Sequence, residues 1–233
     1  MTPTAYGVFA ATGCVTAVAW LERHRERMGI SENQFWAAMW TMLLGALIGA
    51  KGLFVVLGWK HYAHGELHFW HDFGTGFVFF GGLVGALAAA ALFAWLGRHD
   101  FLRGADYFAV AVPIGHAIGR VGCFFAGCCG GTPPHPVQLY EAAGLLCIAW
   151  SCHHLLERIE RGEAARGDAF WRYLLAYAAL RLVLDPLRAD GRPERFLGLS
   201  YQQGIALLVI ACVLISRRVI RERARRACQP AAA

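Results

Sequence analysis

Charge is scarce in this chain. Aspartate, glutamate, lysine and arginine make up 16% of its 233 residues, whereas a soluble domain of ordinary composition carries about a quarter. So little charge cannot clothe a surface in hydrated groups, which excludes a conventional water-soluble globule. There is no internal repeat, no low-complexity tract and no nucleotide-phosphate loop, so nothing supports a solenoid or a phosphate-cradling fold. Basic residues are missing ahead of the first apolar stretch, while Arg23, Arg25 and Arg27 follow it. A cleavable signal peptide carries its positive charge on the other side, so no segment is expected to be removed. Nor is any linker long enough to hold a soluble module.

What is present is apolar. The chain is 57% hydrophobic, with a mean hydropathy of +0.42. Stretches long enough to cross a bilayer as helices, roughly 17 to 25 residues, recur at Thr4–Leu21, Phe35–Leu57, Gly76–Leu96, Ala105–Phe125, Val137–Leu155, Phe170–Leu184 and Leu199–Ile220. The expected fold is all-α: a polytopic membrane protein of seven transmembrane helices. A single helical domain is expected over residues 1–222, followed by a basic, disordered tail over residues 223–233. Arginines gather after the first span, around Arg98 and Arg103, around Arg158 to Arg166, and in the tail. The loops between carry fewer, so the positive-inside rule places the amino terminus outside and the carboxyl terminus in the cytoplasm.

The net charge of +6 comes mostly from that tail. It reads as an orientation anchor, with contact to anionic headgroups as the alternative. A partner of nucleic acid is not expected, because basic charge on a membrane protein already has this explanation.

The ionisable groups are not scattered. His116 to Glu141 places two histidines, an arginine, a glutamate and three cysteines between two apolar runs. Ionisable groups at membrane depth are costly and usually mark a working site. His116 and Arg120 are four residues apart and share a helix face, as do Gln138 and Glu141 at a spacing of three. Arg181, Asp185 and Arg188 repeat the pattern, and Pro186 is expected to end or kink that helix. Arg181 lies about 13 Å along its helix from Arg172, well inside the bilayer. With the alternating topology, the outer ends of the fourth, fifth and sixth spans bring Arg120, Glu141, Arg181 and Asp185 to similar depth. Those groups make either an internal salt-bridge network or a site with one cation in excess, suited to an anionic ligand such as a phosphodiester.

Other features have plainer readings. Gly81, Gly82 and Gly85, and Gly115, Gly119 and Gly122, stand at small-residue spacing that lets helices approach. Gly127, Gly130 and Gly131, followed by Pro133 and Pro134, mark a tight turn. Cys14, Cys147, Cys152 and Cys212 are expected as small packing residues. Cys123, Cys128 and Cys129 fall on the outer side, where packing, a disulfide to Cys123 or a covalently loaded thiol are all open. His61, His64, His68 and His71 would line one helix face. With Tyr62, Phe69 and Trp70 among them, they read as an interfacial amphipathic segment rather than a metal site. No metal and no cofactor are expected.

On these residues the chain resembles the prolipoprotein diacylglyceryl transferase family along most of its length. Tyr6-Gly7 opens the first span as in that family, and Gly49-Ala50-Lys51 stands where the family has Gly-(Ala/Gly)-Arg. Gly81-Gly82-Leu83-Val84-Gly85 matches its Gly-Gly-Leu-Ile-Gly, and Gly119-Arg120-Val121-Gly122-Cys123-Phe124 its Gly-Arg-Ile-Gly-Asn-Phe. His135-Pro136-Val137-Gln138-Leu139-Tyr140-Glu141 matches its His-Pro-Ser-Gln-Leu-Tyr-Glu. Arg181, Asp185, Arg188 and Asp190 are close to its late Arg/Glu/Arg/Asp series, and Leu199 to Gln203 to its Leu-Ser-x-Gly-Gln. The chain departs at Phe80, where the family has a histidine, at Cys123, Ala126 and Cys128, where it has polar residues, and at Pro134, where it has an arginine.

The resemblance implies transfer of a diacylglyceryl group from phosphatidylglycerol to the thiol of a lipobox cysteine, or a related transfer to another acceptor in a divergent branch. It implies a bacterial inner membrane with the site towards the periplasm, a phospholipid donor and a prolipoprotein lipobox peptide as acceptor. Arg120 and Arg181 suit neutralisation of the departing phosphate. Glu141 and Asp185 would orient them or act as base, with His116 as an alternative base. Arg188, His135, Gln138, Tyr140, Gly81, Gly82 and Gln203 are the expected substrate contacts. The competing class is a non-catalytic lipid-binding membrane protein or a small transporter, against which stand the missing repeated halves and the clustering of charge at one leaflet.

Overall fold

The computed structural model describes residues 3–64, 76–189, 195–196 and 199–227. The chain is helical along nearly all of them: α1 (Pro3–Arg23), α2 (Arg25–Met28), α3 (Glu32–Leu57), α4 (Trp59–Ala63), α5 (Phe79–Gly97), α6 (Phe101–Phe125), α7 (Val137–Glu160), α8 (Asp168–Leu184) and α9 (Tyr201–Ala227). A two-residue antiparallel pair, β1 (Arg195–Phe196) with β2 (Leu199–Ser200), precedes α9. The all-α class is as expected, and each apolar stretch read from the sequence falls on one of the long helices. Of these, α3, α5 and α6 are long and apolar enough to cross a membrane. By contrast α7 opens on Gln138 and Glu141, and α8 carries Asp168, Arg172 and Arg181 in 17 residues. Two compact units form, one from Met1–Leu21 with Leu102–Ala233 and the other from Glu22–Phe101.

In the second unit the sequence closes α2 with Gly29 in the left-handed region, at φ 79°. Ser31 then starts α3 through a capping box: its hydroxyl accepts from the Gln34 N–H while the Gln34 side chain accepts from the Ser31 N–H. Pairing of α3 with α5 is a glycine contact. A Cβ on Gly49 would run into the carbonyl of Gly81, and one on Gly85 into that of Gly45. Without side chains there, the two backbones touch and gain close dispersion contact. The outward faces are bare hydrocarbon, including Trp40, Ile48, Val84 and Trp95. Lys51 is buried, with its ammonium 5.2 Å from the Phe54 ring centre and 5.6 Å from that of Phe77.

In the first unit α1 meets α6 by the same device, since Gly13 and Gly115 each occupy the space a Cβ of the other would need. The core between α6, α7 and α8 centres on Ala117, Ala142 and Leu145, with Tyr177 and Leu180 packed against it. One end of this group is fastened by Asp106, buried on α6, whose carboxylate accepts from the N–H groups of Gly167 and Phe170 at the start of α8. Tyr107 donates to Glu160 nearby, and Arg217 of α9 pairs with Asp168 at 2.8 Å. In the adjoining turn, Arg161 donates to Glu163 and holds that carboxyl below the usual carboxylate range. At the other end α8 stops at Leu184, and a 3-10 turn over Asp185–Leu187 follows, as Pro186 required.

His61 lies in α4 and His64 caps it. His68, His71 and Asp190 lie outside the described residues, so the expected histidine stripe is described only at its start. Cys152 is buried, whereas Cys14, Cys147 and Cys212 lie on the outer surface of their helices rather than in the packing assigned to them. The last helix continues to Ala227, into the stretch expected as a tail.

Gly85→Leu is expected to lower the stability of the α3–α5 pair by about 1–3 kcal/mol, the usual range for overpacking. Gly52→Ala, with no atom within 4 Å of the added carbon, should leave it unchanged. Thermal unfolding of the detergent-solubilised variants checks the contrast.

Candidate active site

The polar groups read from the sequence converge on one carboxylate. Glu141 sits one turn into α7 and its side chain is fully buried. Arg120 of α6 approaches its Oε1 at 3.0 Å through Nη2. Arg181 of α8 and Arg188, beyond the 3-10 turn, each reach Oε2 through Nη1 at 3.4 Å. Tyr177, one turn before Arg181 on the same face of α8, donates its hydroxyl to Oε1 at 3.2 Å. His116, one turn before Arg120, brings Nε2 to 3.8 Å from that oxygen and sets its ring edge-on to Tyr177. A carboxylate out of water needs its lone pairs met by donors, and here three guanidinium groups and a phenol meet them.

The charge does not stop at Glu141. Arg181 also faces Asp185, four residues on, at 3.9 Å. Asp185 accepts in turn from the Ser200 hydroxyl. Ser200 and Gln203 form a reciprocal cap on α9: the hydroxyl accepts from Gln203 N–H at 3.1 Å and the amide oxygen accepts from Ser200 N–H at 3.0 Å. Gln203, expected as a substrate contact, makes this cap through its Oε1. Among the described residues, three arginines meet two acidic groups, Glu141 and Asp185, in this network. The Nε of Arg120 is buried and makes no hydrogen bond among the described residues.

A loop closes over this layer. Residues 130–132 run antiparallel to 187–189, with Thr132 N–H donating to Leu187 O at 2.9 Å and Ala189 N–H to Gly130 O at 3.1 Å. Gly131 has no room for a side chain between Val137, His135 O and Leu187 O. Gly127 adopts φ 65°, as a turn of unusual dihedrals needs, and so does Cys129 at φ 56°. Gln138 reaches out of α7 to donate to Cys128 O at 2.8 Å, which pins the loop rather than facing Glu141. His135 and Tyr140 are exposed at the start of α7 with ring centres 6.2 Å apart.

His116, Arg120, Glu141, Arg181, Asp185 and Arg188 therefore share one network, and the sequence reading named all six. Gly81 and Gly82 belong to the second unit, on the face of α5 that meets α3. Phe80, at the family's histidine position, is exposed there. Tyr177 and Ser200 were missed. The signal for Tyr177 was its spacing of four from Arg181; that for Ser200 was the Ser-x-x-Gln pattern of a capping box.

Fold and site together define a helical membrane protein with a buried cationic centre. A family model described as prolipoprotein diacylglyceryl transferase matches residues 2–217, and the chain belongs to that family. Among curated relatives, a protein of Clostridium tetani named phosphatidylglycerol–prolipoprotein diacylglyceryl transferase is 27% identical over 225 residues, covering 88% of each chain. A second transferase of that name from Clostridium perfringens is 23% identical over 230 residues, covering 88% of this chain and 86% of its own. The Bacillus cytotoxicus protein of the same name is 26% identical over 239 residues, covering 90% and 86%.

Glu141→Gln would leave buried guanidinium groups facing a neutral amide. Removing one partner of a buried ion pair costs about 3–5 kcal/mol, so the variant should melt well below the parent. Tyr177→Phe removes only one hydrogen bond to a charged group and should cost about 1.5–3 kcal/mol. Equal melting temperatures for all three proteins would contradict this packing.

Proposed function

We propose that the chain transfers the diacylglyceryl group of phosphatidylglycerol to the cysteine thiol of a prolipoprotein lipobox, in a bacterial inner membrane. The observation that carries this reading is the buried Glu141 carboxylate held among Arg120, Arg181, Arg188 and Tyr177, in a chain that belongs to this family. The long helices act as seven spans with the amino terminus outside, as the arginine distribution supports. The Glu141 layer then faces the periplasmic leaflet.

In the reaction the acceptor thiol loses its proton and the thiolate attacks the glyceryl carbon bonded to the phosphate oxygen. A carbon–sulfur bond forms, the carbon–oxygen bond breaks, and glycerol phosphate leaves with the electron pair. Charge builds on the phosphate oxygens as the bond breaks. Arg120 and Arg181 meet that charge in a water-poor site, where fixed donors stabilise a transition state most effectively. The spare Nε of Arg120 gives a donor for a phosphate oxygen beyond the one committed to Glu141.

Glu141 has two tasks. It keeps the guanidinium groups from repelling one another in the resting enzyme, and it fixes their directions. His116, oriented by Glu141 at one nitrogen, takes the thiol proton at the other, in place of the histidine that the family carries where Phe80 stands. Asp185 holds Arg181 from the side of α9. Arg188, His135, Gln138 and Tyr140 shape the approach of headgroup and peptide, Gln138 by way of the loop it pins.

Purified protein supplied with phosphatidylglycerol labelled in its acyl chains and a lipobox peptide should place label on the peptide. Lipid bound without turnover would overturn the transferase reading. His116→Ala should slow transfer about 10²–10⁴-fold, the usual worth of a general base, with unfolding unchanged. Arg120→Lys keeps the charge but loses forked donation to phosphate oxygens and should cost about 10²-fold. Near-parental rates would remove either residue from its assigned role.

A further inference from the structure

We infer that Cys123, Cys128 and Cys129 form a three-thiolate site for a soft, closed-shell metal ion, copper(I), one helical turn from Arg120. The sequence reading assigned no metal here. The three sulfurs nonetheless lie within 4.8 Å of one another, with Cys123 buried, Cys128 half-buried and Cys129 exposed. None of the three is joined in a disulfide. With metal–sulfur bonds of about 2.3 Å, three sulfurs around one ion stand about 4 Å apart. Closing the gap takes under about 1 Å, within reach of small side-chain rotations.

The backbone holds the thiols in this array. Cys128 N–H donates to Cys123 O at 3.1 Å, folding the loop back on the end of α6. Gln138 fixes Cys128 O from α7. Cys129 adopts a left-handed backbone, uncommon for a residue with a side chain. Adjacent cysteines rarely bond to each other because the ring is strained, so Cys128 and Cys129 are kept as separate donors.

The donor set selects the ion. Thiolates favour copper(I) and zinc over harder metals. Zinc takes four ligands in closed protein sites, and no fourth histidine, cysteine, aspartate or glutamate completes this group among the described residues. A trigonal site of three sulfurs suits copper(I). Binding forms three copper–sulfur bonds and releases the three thiol protons, leaving two net negative charges. Arg120, within Coulombic reach of Cys123 and Cys129, offsets part of that charge. The ligand is thus a thiophilic metal ion delivered as copper(I), and its binding does not require the chain to be a transferase.

The reduced full-length protein in detergent is titrated with copper(I) against bicinchoninate, with zinc in parallel. The expected result is one copper per chain withdrawn from the chelator, and three sulfur ligands near 2.3 Å by X-ray absorption. Cys128→Ser with Cys129→Ser should weaken copper binding at least about tenfold with helical content unchanged. Cys14→Ser with Cys147→Ser and Cys212→Ser should bind as the parent does. Failure of the parent to take copper from the chelator, nitrogen in place of sulfur ligands, zinc bound in preference, or undiminished binding by the Cys128/Cys129 variant would each overturn the site. Should that variant misfold, the ligand count on the parent decides.

Discussion

The first unit depends on one buried anion. Glu141 lies on α7, yet its partners come from α6, α8 and the turn beyond α8. A carboxylate and three guanidinium groups, each far too costly to bury singly, become tolerable only when assembled. The arrangement therefore enforces how α6, α7 and α8 align, and a slip by one turn would strand several charges at once. Asp106 does comparable work at the other end, where it caps α8 from α6. The two polar layers are about 21 Å apart along α6, from the 14 residues between Asp106 and Arg120 at 1.5 Å each. Between them lies the small-residue core.

The network also leaves a donor to spare. Among the described residues three arginines stand around Glu141 and Asp185, and Arg120 keeps a donor that its own carboxylate does not use. A purely structural cluster gains nothing from such a donor. An enzyme that must receive a phosphodiester and release a phosphate monoester, which carries more negative charge, gains a great deal. The loop over residues 127–136, tied to the segment after α8 and to Gln138, frames this surface without filling it with a rigid element.

Much of this was legible in advance, for identifiable reasons. Helix positions followed from apolar runs bounded by charge, and α3, α5 and α6 have the length and composition of spans. Spacings of three and four placed His116 beside Arg120 and Arg181 beside Asp185, and the fourth, fifth and sixth stretches, expected to share polar groups, do so as α6, α7 and α8. What escaped was what spacing cannot carry. Gln203 closes a capping box, and a side chain bonding to a nearby backbone is indistinguishable in sequence from one facing a substrate. Tyr177 was hidden in an aromatic-rich helix, where one hydroxyl among several rings has no signature. Nor does spacing show that three thiols separated by a turn with two left-handed residues end within 4.8 Å of one another.

The central claim is that the Glu141-centred arginines exist to hold a phosphate. The direct measurement is equilibrium binding of glycerol phosphate, the leaving group, followed by phosphorus line broadening on the purified protein. Binding should be measurable for the parent and weakened by at least about tenfold in Arg181→Met, as loss of a charge-assisted bond to phosphate predicts. Equal affinity in both proteins, with both folded, would contradict the account.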